Sequence, residues 1–206
     1  MSNAIIVHGK PGRKEYYDPD VPSSSNHHWL PWLAKQFILR DIPASTPEMP
    51  HAYAPDYPIW CREFERHDIT LDTILVGHSC GAGFLTRWLS DHPRVQVGRV
   101  ALVAPWLDPD GTDAPEFFDF QLDPDLAGRT DGLLVVNSDD DGPPIQRSVE
   151  LIRNTVADIH YHDFHQHGHF TTTDLGGNQF PALIELLALG NQPNISLNAP
   201  EPHDRP

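Results

Sequence analysis

One stretch constrains this chain more than any other: Leu71-Asp72-Thr73-Ile74-Leu75-Val76-Gly77-His78-Ser79-Cys80-Gly81-Ala82-Gly83-Phe84-Leu85. Its apolar run stops at a glycine, presents one serine and resumes with helical periodicity. Gly77, Ser79 and Gly81 together have the form G-x-S-x-G, a tight strand-to-helix turn that lifts a hydroxyl above the end of a sheet. Ile74-Leu75-Val76 is short, continuous and rich in branched residues, as in a strand covered on both faces of a parallel sheet. After the turn, Ala82, Leu85, Trp88 and Leu89 recur at helical spacing, while Arg87 falls outside that stripe. Gly77 and Gly81 stand where strand and helix backbones crowd together. The serine between them is expected in a strained, sparsely populated backbone conformation.

The rest of the chain repeats the alternation. Ala4-Ile5-Ile6-Val7 predicts a first buried strand delivering the loop His8-Gly9-Lys10-Pro11-Gly12 to its carboxyl end, where ligands sit in open α/β sheets. Residues 13–28 read as irregular. Trp29, Trp32, Leu33, Gln36 and Phe37 then predict a helix beginning near Asn26 to Trp29, with Pro31 in its first turn. Ile42 to Met49, interrupted by Pro43 and Pro47, predicts a strand toward the sheet edge. Asp56-Tyr57-Pro58 opens a helix with Ile59, Trp60 and Phe64 on its apolar face.

Val100 to Ala104 and Leu133 to Val136 are further continuous strands. A helix follows residue 143, Ile159 to Phe164 alternates like an edge strand, and Phe180 to Leu189 closes as an amphipathic helix. From Gly190 the chain is polar and aperiodic, which predicts a disordered tail over 190–206. Strands alternating with helices imply a parallel sheet covered on both faces and joined by right-handed crossovers. Residues 105–131 are rich in Pro, Asp and Gly yet carry Trp106, Phe117, Phe118 and Phe120. They read equally as a short cap over a site or as a loop anchoring aromatics in the main core.

With 206 residues the chain suits one α/β domain, placed at residues 1–189. A formal charge of -15, offset by no basic run, argues against nucleic acid or an anionic membrane surface as partner. No apolar stretch approaches the ~20 residues of a membrane span, and the chain enters its first strand without a charged leader. A soluble, unexported protein is expected. Cys61 and Cys80 make no disulfide framework, which fits a reducing cytoplasm. Monomer is the favoured oligomeric state.

A serine hydroxyl is a weak nucleophile near neutral pH; it needs a base within hydrogen-bond reach, itself oriented by a buried acid. Asn137-Ser138-Asp139-Asp140-Asp141-Gly142 follows a late strand and offers three acids. His165, His167 and His169 follow the last strand, and Gly168 favours His169 by freeing the loop to turn before it. An oxyanion hole would take one backbone N–H from Cys80, the residue after the serine, and one from Lys10 or else Gly9. Gly9, His78 and Trp106 are expected to face a substrate. The rival reading of His160, His162, His165, His167 and His169 as zinc ligands lacks any thiolate or Glu at a recognised ligand spacing, and a single catalytic histidine with exposed edge-strand histidines accounts for the same residues.

These residues carry a family resemblance. The chain resembles the small single-domain serine hydrolases of the YdeN and retinoblastoma-binding-protein type, a compact branch of the α/β-hydrolases, over most of residues 4–189. The matching elements are His8-Gly9, Trp29 with Trp32, Met49-Pro50, Ile59-Trp60, Gly77 to Ala82, Ser138-x-x-Asp141 and Gly168-His169-Phe170. The resemblance implies a three-layer fold with about six parallel strands, no large lid domain, and chemistry with neither metal nor organic cofactor. It also implies a triad of Ser79, Asp141 and His169, and so selects Asp141 among the three acids.

Two departures stand out. Gly142 replaces a proline that relatives commonly carry after the acid, and Ile59-x-Cys61-x-Glu63 only approximates the retinoblastoma-binding motif L-x-C-x-E. That partner is not expected. The implied activity is hydrolysis of a small carboxylic ester, or of an amide, through an acyl-enzyme. The aromatic segment from Trp106 to Phe120 suggests an apolar acyl or alcohol group, and the acidic surface disfavours strongly anionic substrates. The alternative is a non-catalytic interaction module on the same fold.

Overall fold

Burial on both faces accounts for the composition of the inner strands. In the computed structural model, which describes residues 2–188, every residue of three of them is buried. The strands are β1 (Asn3–Val7), β2 (Ala44–Ser45), β3 (Thr73–His78), β4 (Val100–Val103), β5 (Leu133–Ser138) and β6 (His160–Phe164). They form one sheet of six strands in the order β2-β1-β3-β4-β5-β6, with every pairing parallel. This is the α/β-hydrolase architecture that the resemblance implies. The tail predicted from Gly190, and the last residue of the closing helix, lie outside the described residues.

The edge strands differ in composition because they differ in cover. The half-exposed β6 carries His and Asp among apolar residues. The strand predicted over Ile42 to Met49 contracts to Ala44–Ser45, since Pro43 and Pro47 have no N–H to give a ladder. Leu71 precedes the strand that the opening run predicts and stays 65% exposed.

Helix starts follow the capping chemistry. The helices are α1 (Arg13–Tyr16), α2 (Leu30–Ile38), α3 (Tyr57–Phe64), α4 (Cys80–Asp91), α5 (Pro143–Thr155) and α6 (Pro181–Leu186). Asp56 caps α3 by accepting the Ile59 N–H at 2.9 Å, and α2, α3, α5 and α6 each carry proline in the first turn, where a missing N–H costs nothing. By contrast α1 buries no residue, so no apolar period marks it in the sequence.

From β1 the chain steps outward to β2, then returns past β1 to β3 and continues the other way. Right-handed crossovers then put α2 on one face and α3, α4 and α5 on the other. A crevice opens where the direction reverses, at the carboxyl ends of β1 and β3. On the α3–α4 side, Trp60 meets Phe84 and Phe117 edge-on, and Phe64 meets Trp88. Across the sheet, Trp29 packs on Phe180 and donates its indole N–H to the Phe170 carbonyl at 3.1 Å.

Residues 105–131 are tied into this core. Phe117, Leu126 and Ala127 are buried. Arg87 lies 3.6 Å from the Tyr57 ring centre and donates to the carbonyls of Glu116 and Phe117. Arg129 pairs with Asp123 at 2.6 Å and reaches the carbonyls of Leu89, His92 and Val95. Among the described residues no helix is long and apolar enough to cross a membrane.

Helix α4 meets this segment at Gly83, where a Cβ would lie 2.0 Å from the Trp106 carbonyl oxygen and 2.7 Å from the Phe118 ring. Gly83→Ala should therefore destabilise the fold by about 2 kcal/mol or more in urea denaturation. At Gly128 nothing lies within 4 Å of an added Cβ, so Gly128→Ala should leave stability unchanged or raise it by ~0.5 kcal/mol.

Candidate active site

The turn between β3 and α4 is built on close approach. Ser79 sits at φ 54°, ψ -120°, a strained conformation costing about 1–3 kcal/mol. It is held on three sides: its N–H donates to the Val103 carbonyl at 2.9 Å, and its own carbonyl accepts from Gly83 at 3.0 Å and Trp106 at 3.2 Å. A Cβ on Gly77 would stand 2.5 Å from the Ala82 Cα, and one on Gly81 would stand 2.3 and 2.4 Å from the carbonyl oxygens of Val7 and His8. The β1 loop is equally near, with a Cβ on Gly9 falling 3.1 Å from that of Ser79.

That loop is oriented by His8, a role the sequence reading missed. Its Nδ1 donates to the Gly9 carbonyl at 2.7 Å, and its Nε2 accepts the Met49 N–H at 2.8 Å. Both ring nitrogens are thus used and the imidazole is neutral; burial holds its pKa below the ordinary value. Because the Gly9–Lys10 peptide is trans, fixing the Gly9 carbonyl on His8 turns the Lys10 N–H the opposite way. The Cys80 N–H opens α4 and has no intrahelical acceptor; among the described residues neither it nor the Lys10 N–H makes a hydrogen bond. The Lys10 side chain leaves this region, pairing with Asp113 at 2.9 Å near the Trp106 ring. Burial pushes the Cys80 thiol pKa up, leaving it un-ionised.

Three successive aspartates grip the histidine loop, each at a different residue. Asp139 accepts from His165 Nδ1 at 2.5 Å and from the Gln166 N–H at 3.1 Å. Asp140 accepts from the Ser138 hydroxyl at 2.6 Å and the Gly168 N–H at 2.9 Å. Asp141, its side chain 6% exposed, accepts His169 Nδ1–H at 2.7 Å. Its other oxygen takes the Gly142 N–H at 2.6 Å, a donor that a proline there would lack. Gln146 on α5 steadies the same loop through the carbonyls of Ser138 and Asp141.

His169 is fixed at its backbone as well. Its N–H donates to Asp174 at 3.0 Å, and its carbonyl accepts His78 Nε2–H at 2.8 Å. Asp174 also takes the Thr171 N–H and hydroxyl, and Gly168 leaves the space: at φ 50°, a Cβ there would meet the Asp174 carboxylate at 2.6 Å. Burial works against the Asp174 carboxylate, but these donors outweigh it and hold its pKa below the usual range. His78 is wholly buried and neutral, pushed well down first by burial and then by the neighbouring His169.

A cavity of about 210 Å³ joins these groups, with Ser79, His169, Gly9, Lys10 and His78 in its wall. Ser79 and His169 share it without a mutual hydrogen bond among the described residues. Its apolar side chains are Pro11 and Leu30; Glu15, Ser24, His27 and His28 complete a polar lining. Trp106 is not part of the wall, nor is any other residue of 105–131. The apolar group anticipated from that segment thus finds no apolar wall here, and the segment does not cap the cavity. The remaining histidines disperse: His165 pairs with Asp139 and His162 lies on Phe164. Among the described residues no three His, Cys, Asp or Glu are placed to hold a metal ion.

The buried imidazoles carry a pH signature. His8, His78 and His28 are all below the ordinary 6.5, His28 at about 4. The unfolded chain binds more protons there, so stability present above pH ~6.5 should fall as pH drops toward 4. The lowered carboxyls of Asp139, Asp140 and Asp174 act only below their ordinary 3.8. His165, raised by Asp139, works the other way but is fully exposed. Thermal melts should show a decline that begins as pH drops below about 6.5 and steepens toward and below 3.8, where the carboxylates add to it.

Comparison with known proteins bears on the fold and the family. The ydeN gene product of B. subtilis is 25% identical with a TM-score of 0.74, covering 91% of this chain and 97% of its own. A serine hydrolase from Cycloclasticus zankles aligns with TM-score 0.59 at 15% identity, over 92% of this chain and 89% of that one. A metagenome-derived structure reported among the lipolytic enzymes LipS and LipT aligns with TM-score 0.54 at 15% identity, over 91% and 90%. A search of curated proteins gave no match. The serine hydrolase family profile matches residues 19–189, and on that match this chain belongs to the serine hydrolase family.

Proposed function

We propose that the chain cleaves small carboxylic esters, or amides, through an acyl-enzyme on Ser79. The observation that carries this is one cavity holding a strained serine and an imidazole whose Nδ1–H is engaged by the buried Asp141. With Nδ1 donating, Nε2 of His169 is the free basic position. Ser79 Oγ attacks the carbonyl carbon as His169 Nε2 takes its proton; the imidazolium then returns that proton to the leaving oxygen or nitrogen. Asp141 orients the ring and offsets its charge. The N–H groups of Cys80 and Lys10 receive the developing oxyanion, each such donor being worth about 3–4 kcal/mol in the transition state.

Family membership and the lipolytic neighbour support hydrolysis of this kind. The missing Ser79–His169 hydrogen bond is compatible with it, since such bonds are often loose before substrate binds. The free Cys61 and Cys80 support a reducing, cytoplasmic setting.

Ser79 should label with a fluorophosphonate probe, and Ser79→Ala should abolish labelling and lower p-nitrophenyl ester turnover by about four to six decades with the fold intact by circular dichroism. A folded wild-type protein that does not label would instead favour a non-catalytic interaction module. Replacing the acids separately distinguishes their roles. Asp141→Asn should lower kcat by about 10⁴, whereas Asp139→Asn, on an exposed pair, should change it less than about tenfold; equal losses would overturn the choice of Asp141.

A further inference from the structure

His28 is outside the catalytic set, yet it lines the same cavity as Ser79 and His169. Its ring is fixed by the chain on both sides. The Thr172 N–H donates to His28 Nδ1 at 3.1 Å, so the single proton of the neutral ring sits on Nε2. His27 stacks on it with ring centres 3.9 Å apart, and His78 meets it edge-on at 5.8 Å. Among the described residues, Nε2–H has no hydrogen-bond partner. The backbone at His28 is at φ 54°, a left-handed conformation that histidine adopts more readily than most residues.

The rest of the wall fixes the charge and size of what this donor can meet. Lys10, the cationic side chain of the lining, is already paired with Asp113, and Glu15 adds a carboxylate 3.6 Å from His27. Burial, followed by His27 and His169, keeps His28 itself uncharged down to about pH 4. No other Lys or Arg stands in the wall to neutralise an anion. At about 210 Å³ the cavity is smaller than the ~300–1,000 Å³ of pockets that take drug-sized ligands, which suits a short group. An unbranched hydrocarbon would fill that space while leaving Nε2–H without an acceptor.

On the reading of the cavity as a hydrolase site, we infer that His28 is a specificity residue selecting substrates whose cavity-bound group is short, uncharged and carries an oxygen acceptor, an ether or hydroxyl, for its Nε2–H. Such a group replaces a methylene with an oxygen of nearly the same size. A donor left unpaired by the hydrocarbon analogue penalises it, and this difference is the discrimination.

Isosteric ester pairs test it. Phenyl methoxyacetate against phenyl butyrate places the oxygen on the acyl side; 2-methoxyethyl acetate against butyl acetate places it on the alcohol side. Intrinsic reactivity cancels when each kcat/KM ratio is compared between wild type and variant. In His28→Asn the amide oxygen can still accept the Thr172 N–H, and Asn tolerates positive φ, but the shorter side chain withdraws the outer donor. In His28→Gln the amide N–H restores a donor near the Nε2 position.

The oxygen-bearing member of one pair should lose about tenfold in relative kcat/KM in His28→Asn, with part of the preference recovered in His28→Gln and Ser79 labelling retained in both. Ratios unchanged by His28→Asn in both pairs would overturn the inference. If no ester is turned over by wild type, the hydrolytic reading fails separately. Binding of methoxyacetamide against butyramide, followed by NMR on the histidine Cε1–H resonances, then decides this one: tighter methoxyacetamide binding lost in His28→Asn supports it, and equal affinities reject it.

Discussion

The geometry of this molecule depends on how closely helix α4 can approach strand β1. With no side chain at Gly81, the helix backbone comes against the carbonyls of Val7 and His8, within the space a single Cβ would occupy. Two consequences follow from that contact. Ser79, just past the end of β3, is brought beside Gly9, so its hydroxyl and the β1 loop share one crevice. The amino terminus of α4, with its unpaired N–H groups and positive dipole end, is also brought under the same crevice. A side chain at Gly81 would push apart the two halves of any oxyanion hole before it altered any reacting group.

The electrostatics of the crevice are set mainly by neutral groups. His8, His28 and His78 are each kept uncharged by burial and each spends a ring nitrogen on a backbone partner. They act as fixed hydrogen-bonding struts and not as charges. Apart from Glu15 beside His27, the carboxylates lie on the other side, in the acid loop and at Asp174, where they accept backbone N–H groups as well as imidazole protons. His169, held by its side chain, its N–H and its carbonyl, has little freedom left to misorient.

Much of this was legible in the sequence where a local rule applied. Continuous apolar runs identify β1, β3, β4 and β5 because parallel strands are covered twice, and the spacing of Gly77, Ser79 and Gly81 marks the turn because only glycine fits there. Gly168 pointed to His169, and the structure gives it a steric cause in the Asp174 carboxylate. Other features left no trace of that kind. Helix α1 buries nothing, so it has no period to read. The aromatics of 105–131 suggested a substrate wall, but aromatic composition alone does not say which way a ring faces, and Phe117 faces the core. The bonds from His8 to Met49, from His28 to Thr172 and from Asp174 to His169 join side chains to backbone atoms. Such pairs impose no spacing on the sequence and become visible only once the chain is folded.

The three aspartates of the acid loop have a mechanical consequence. Their bonds to His165, Gln166, Gly168 and His169 run in sequence like the teeth of a closure, anchored behind by Gln146 and, across the loop, by Asp174. Such a closure opens only by parting several charge-assisted bonds together, so the side of the crevice carrying His169 behaves as a fixed jaw. The opposite rim, at Pro11, Glu15 and Ser24, has no such closure: it includes α1, a single helical turn that buries no residue and is not clamped in that way.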